Sequence, residues 1–247
     1  MSQTSKAFTL QAGQIYETIV TLKKRLDDRF PNSGLGRVCE NLMETARHAS
    51  EKASWLRRPL YHFRFLAWVV TVTLLLGSAW SLWSFGRKVE QVGLAEFIQV
   101  SEAGINDIVL IAAAIFFLHT LEKRIKRSRA LKSIHELRSV AHIIDMHQLT
   151  KDPERVTSKS FQHTPSSPQS AMTPFQLRRY LDYCSEMLSL TSKIAALYAQ
   201  DLDDATVLAS VSEVENLTTG LSRKIWQKIT LLHSFEEQKK PLPAPTK

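Results

Sequence analysis

The run from Phe65 to Phe85, FLAWVVTVTLLLGSAWSLWSF, holds 21 consecutive residues without a charge. As a helix rising 1.5 Å per residue it measures about 31 Å, the thickness of a bilayer's hydrocarbon core. An uncharged run this long is either a transmembrane helix or a fully buried core helix, and its length predicts the first. Trp80 and Trp83 lie near one end, and Trp55 and Tyr61 precede the other, where aromatic rings suit the two membrane interfaces. The run begins at residue 65, too far into the chain for a cleavable signal peptide. Apolar residues make up 44% of the sequence, which excludes a wholly disordered chain.

A second span is expected at about residues 104–121. Ile108 to Leu121 (IVLIAAAIFFLHTL) is uncharged over 14 residues, and Gly104 to Asp107 extend it to 18. That is short, so tilting or local bilayer thinning is expected, with Asp107 left at the water interface. A re-entrant or partner-covered helix is the alternative. Gly77 and Ser81, a small-xxx-small pair, are expected to let membrane helices pack closely.

Charge orients this hairpin. The net charge is +8, and it is concentrated beside the apolar runs. Lys52, Arg57, Arg58 and Arg64 precede the first run with no acid among them. Residues 121–132 hold six Lys or Arg, including Lys123, Arg124, Lys126 and Arg127, against Glu122 alone. The connecting segment has Arg87 and Lys88 against Glu90, Glu96 and Glu102. The positive-inside rule then places both termini in the cytoplasm, as in a multi-pass protein of a bacterial inner (plasma) membrane. Anionic lipid headgroups are the expected partners of Arg57, Arg58, Lys123, Arg124, Lys126 and Arg127. Cys39 and Cys184 cannot form a disulfide framework and suit a reducing cytosol.

The expected fold class is all-α: two transmembrane helices with a cytoplasmic helical bundle. Residues 1–60 read as an N-terminal helical hairpin, with Ile15, Ile19, Leu22 and Leu26 on one seam and Pro31-Asn32-Ser33-Gly34 as the break. The second seam is Leu35, Val38, Leu42, Ala46, Ala49, Ala53 and Leu56. Residues 61–121 form the membrane hairpin (65–85 and about 104–121) around an external loop, 86–103. Residues 122–152 continue the helix into the cytoplasm, with Ile134, Leu137, Ala141 and Ile144 on its apolar side. Residues 153–174, with four prolines and five serines, read as a linker. Residues 175–236 read as a second helical hairpin, with Asp203 or Asp204 capping its second helix. Residues 237–247 read as a disordered tail.

The densest polar cluster is on the post-membrane helix. At 100° per residue, His135, Arg138, His142 and Asp145 share an arc of about 80°, opposite Leu137, Ala141 and Ile144. Such a stripe is a solvated face or a polar network between helices. A metal site would need ligands from another helix beside His142 and Asp145, since His135 lies about 10.5 Å along the axis from His142. No metal and no cofactor is expected. No phosphate loop, dinucleotide loop or nucleophile elbow is present in the sequence, and no catalytic residue is assigned.

Two resemblances bear on function. His135-Glu136-Leu137-Arg138-Ser139 resembles the phospho-acceptor box of sensor histidine kinases, commonly His-Glu-Leu-Arg-Thr-Pro. The resemblance covers five residues and implies His135 as phosphoryl acceptor with Glu136 as its acid–base neighbour. Val140 stands where that family has proline, and no glycine-rich ATP-binding domain follows, so it implies phosphotransfer rather than autokinase activity. The stretches HELRSVAHIIDMHQLTKDP and ENLTTGLSRKIWQKI are similar to uncharacterised bacterial two-span inner-membrane proteins, which implies no activity. The expected function is therefore interaction: a membrane-anchored, self-associating, non-catalytic scaffold or signalling subunit with an unidentified protein partner and no specific nucleic acid. The alternatives are a phosphotransfer protein using His135 and a small oligomeric channel or transporter component depending on Asp107 and His119.

Overall fold

A computed structural model describes residues 9–57, 61–86, 94–157, 165–166, 172–200 and 202–238. Arg58, residues 87–93 of the expected loop, most of the expected linker and the tail from 239 lie outside the described residues, as do the side chains of Arg57, Ser81, Asp107 and His119. Every regular element among the described residues is a helix: α1 (Ala12–Arg29), α2 (Gly34–Arg57), α3 (Tyr61–Gly86), α4 (Leu94–Leu149), α5 (Glu154–Thr157), α6 (Pro174–Gln200) and α7 (Ala205–Gln238). The chain divides into two compact units, Arg58–Arg129 and the remainder.

In the remainder, the apolar period sets the packing. Ile15, Ile19, Leu22 and Leu26 bury one face of α1. Phe30 donates its N–H to the Leu26 carbonyl as α1 ends, and Pro31 follows. Asn32 takes φ 55°, a left-handed conformation that asparagine tolerates better than most residues. Ser33 then caps α2, its Oγ accepting from the Gly36 N–H at 3.0 Å. The two helices pack antiparallel, and a Cβ added at Gly36 would meet Asp27 and Leu26 at 3.2 and 3.3 Å. Leu35, Val38, Leu42, Ala46 and Ala49 are buried on the α2 side.

α6 packs against α1, α2 and α7. Leu10 donates its N–H to Gln200 Oε1 at 3.0 Å, while Phe30 meets Tyr180 edge-on at 5.5 Å, so α1 and α6 run antiparallel. Residues from Ala130 of α4 lie antiparallel to α6 as well: Tyr198 hydrogen-bonds Ser133, and Lys151, just beyond α4, lies 5.0 Å from the Tyr180 ring. Arg178 approaches Glu236 at 3.9 Å, joining the start of α6 to the end of α7. Thus α1, α4 and α7 run one way, and α2 and α6 the other. Arg57, where α2 ends, and Ala130, where α4 enters the unit, consequently lie at the same end of this bundle. Its core includes Ile134, Leu137, Ala141 and Ile144 of α4, Leu181, Cys184 and Leu188 of α6, and Val207, Val211 and Ile225 of α7.

Caps set the later boundaries. Thr173 Oγ1 accepts from the Gln176 N–H at 3.2 Å and Gln176 Oε1 accepts from the Thr173 N–H at 2.9 Å, a reciprocal capping box for α6. Thr173→Ala is expected to cost about 1 kcal/mol, read as a lowered midpoint of chemical unfolding without a change in slope. Asp204, one of the two expected caps, accepts from the Thr206 and Val207 N–H groups at 3.0 and 3.2 Å. α5 occupies the first residues of the expected linker and packs on α7, with Thr157 buried.

α4 differs from expectation at its start. It begins at Leu94, inside the expected 86–103 loop, and continues for 56 residues. Leu94 to Ala103 contain no glycine or proline, and the lone Gly104 costs a helix only about 1 kcal/mol relative to alanine. Among the described residues, one helix is long and apolar enough to cross a membrane by length and composition, the stretch that begins at Gly104 in α4. None of its most apolar window is buried. α3 contributes a shorter apolar stretch, Ala67–Trp80, so the first expected span, residues 65–85, does not meet that test among the described residues. Phe65, Trp68, Leu76 and Trp80 of α3 and Ile105, Ile108, Leu110 and Phe116 of α4 each stand more than half exposed.

Candidate functional site

The α4 stripe is assembled in part. His135, Arg138 and His142 are exposed, and Asp145 is half-buried. Arg138 Nη1 lies 3.3 Å from Glu213 Oε2 of α7, with both side chains at least half exposed. An exposed pair of this kind contributes little, so Arg138→Ala is expected to lower stability by under about 1 kcal/mol, within the scatter of replicate melts. Asp145 is not brought to His142. Its Oδ1 accepts from Gln148 Nε2 at 2.6 Å, and Gln148 in turn accepts from Lys228 Nζ of α7, through Oε1 at 2.7 Å and its carbonyl at 2.8 Å. Burial lowers the Lys228 ammonium below its usual range, opposed by the charges of Asp152 and Asp145. Arg138 directly, and Asp145 through Gln148, therefore join α4 to α7. No group of three or more His, Cys, Asp or Glu able to hold a metal ion lies together among the described residues.

The cysteines are chemically quiet. Burial pushes the Cys39 thiol up to about 11 and the Cys184 thiol up to about 12, so neither is a thiolate at neutral pH. Most cations of the 123–132 segment of α4 face outward. Lys123, Arg124 and Arg127 are exposed, Arg124 stands 5.5 Å from the Phe117 ring, and Lys126 pairs with Glu122 at 2.9 Å. At Gly77 a Cβ would meet nothing within 4 Å.

One recess was not legible in the sequence. Arg25, Asp28 and Arg29 of α1 and Arg179 and Tyr183 of α6 line an open cleft of about 540 Å³. Arg25 pairs with Glu186 and lies 5.7 Å from the Tyr183 ring, while Tyr183 donates its hydroxyl to the Arg25 carbonyl at 3.3 Å. Arg29, Arg178 and Arg179 stand 5.2, 5.8 and 5.8 Å from the centroid of Phe175. Arg25 and Arg29 are one helical turn apart, an ordinary solvated pairing until the antiparallel packing of α1 on α6 sets them beside Arg179.

No protein-family description, curated protein or solved structure matches the chain.

Proposed function

We propose that this chain is a membrane-anchored helical interaction protein, a non-catalytic scaffold or signalling subunit that self-associates. The carrying observation is α4 itself. An apolar stretch with none of its most apolar window buried runs without a break into the segment that supplies Ile134, Leu137, Ala141 and Ile144 to a helical core. Between these parts lies the basic 123–132 segment of the same helix, which suits anionic headgroups at a membrane surface. Large apolar side chains on α3 and α4 stand in the open, and contiguous exposure of that kind marks a membrane or protein contact. The shared exit of Arg57 and Ala130 from one end of the bundle suits a membrane hairpin of two spans with both termini on the cytoplasmic side of a bacterial inner membrane.

In this reading the helical bundle is the working surface and the spans tether and concentrate it at the bilayer. Burial of helix faces against a second copy or another protein, rather than chemistry at a stripe or thiol, does the work. Native mass spectrometry of the protein in lipid nanodiscs, with co-purifying proteins identified from the same preparation, tests it. A defined oligomer or a stoichiometric partner is expected. A lone monomer without partners contradicts the reading.

A further inference from the structure

The cleft between α1 and α6 is independent of the apolar stretches and of the α4 stripe. Its volume, about 540 Å³, falls in the range of small-ligand sites, roughly 300–1,000 Å³. Its guanidinium groups lie against neighbouring carboxylates or an aromatic ring. Glu186 holds Arg25 by an ion pair, and Asp182 approaches Arg179 at 3.5 Å. Phe175 gathers Arg29, Arg178 and Arg179 around one ring despite their mutual repulsion. A guanidinium carries five N–H donors, and one carboxylate contact engages only one or two of them. Arg29 makes no ion pair with a carboxylate among the described residues, so its charge is balanced by no direct partner there. Burial and the nearby Arg155 lower the Lys151 ammonium, which lies over Tyr180 on the same end of the bundle.

We propose that this cleft binds a small phosphorylated ligand, with Arg29 and Arg179 donating N–H groups to its phosphoryl oxygens and Arg25 and Tyr183 forming the wall. Guanidinium forks match phosphoryl oxygens in geometry as well as charge, with Asp182 beside Arg179 and the Phe175 ring beside Arg29 to orient them. Asp28 also faces the cleft. Its negative charge opposes that of a phosphoryl group and so limits the affinity. The ligand is taken to be a free one, and the Lys123/Lys126 variant below separates it from a lipid headgroup.

The experiment is calorimetric titration of the full-length protein, in nanodiscs of zwitterionic lipid at low salt, with pyrophosphate as the probe. Saturable binding at one site per chain is expected. Arg29→Gln and Arg179→Gln should each weaken it at least about tenfold, the loss of one charge-assisted contact. Asp28→Asn should tighten it by removing the opposing charge, and this variant keeps the test decisive if an arginine variant folds poorly. Lys123→Gln with Lys126→Gln should leave it unchanged. Absence of saturable binding, affinity indifferent to all three cleft variants, loss only in the Lys123/Lys126 variant, or binding of an acidic peptide where pyrophosphate does not bind would each overturn the proposal.

Discussion

Ala113→Arg, made together with Leu75→Arg in the first expected span, is expected to release the protein from the membrane. Ala113 lies near the middle of the apolar stretch of α4, with its side chain exposed in the isolated chain. An arginine at the centre of a membrane helix raises the insertion free energy by about 2.5–3.5 kcal/mol, and the short second span has little surplus to absorb it. At about 1.4 kcal/mol per tenfold, the inserted fraction should fall by roughly two orders of magnitude. The measurement is the share of protein that resists carbonate extraction in isolated membranes. Thr206→Arg, on the exposed start of α7, is the matched control and should remain with the membrane. Equal retention of both variants would mean that the stretch is covered by protein rather than lipid.

The second large effect is alkaline loss of the helical bundle. Cys39 and Cys184 are fully buried, and burial raises both thiols from 9.0, to about 11 and about 12. An acid whose pKa is higher folded than unfolded holds its proton longer in the native state. Its contribution is therefore fully present below pH 9.0 and is lost as pH climbs through 9.0 towards the folded value. At pH 11 the Cys184 thiol alone accounts for about 3 kcal/mol, at about 1.4 kcal/mol per pH unit. Burial raises Tyr180 and Tyr198 too, which steepens the loss above their usual range. Lys151 and Lys228 act in the opposite sense, because their lowered ammonium groups shed a burial cost as pH approaches 10.5. The acids outweigh them. Thermal melts should be flat from pH 7 to 9 and fall steeply by pH 11, and Cys184→Ala should flatten the alkaline limb even though it lowers the neutral-pH midpoint. A midpoint unchanged through pH 11 in the parent protein would contradict this.

Helix faces were the most legible part of the fold because burial follows period. The buried seam of α1, Ala46 and Ala49 of α2, and Ile134, Leu137, Ala141 and Ile144 of α4 all stand where apolar spacing places them. Asp204 was readable as a cap for the same local reason. Where α4 begins was not, since Leu94 to Ala103 lie next to charges that suggest a loop, while helix formation depends on the absence of glycine and proline. The Asp145–Gln148–Lys228 network and the arginine cleft were hidden for a different reason. Their members are polar residues on separate helices, and only the pairing of α4 with α7 and of α1 with α6 brings them together. The sequence stripe put His135, Arg138, His142 and Asp145 on one face, yet Arg138 pairs with Glu213 of α7 and Asp145 is tied to Lys228 of α7 through Gln148.

Topology tests the central claim most directly. In a background with Cys39 and Cys184 replaced by alanine, single cysteines are placed at Thr9, Gln91 and Ser234, and intact cells are treated with a membrane-impermeant maleimide. The membrane-hairpin reading predicts labelling at position 91 from outside, and labelling at positions 9 and 234 only after the membrane is opened. Labelling of all three positions alike, or of none of them outside while the protein washes free of the membrane, would contradict it.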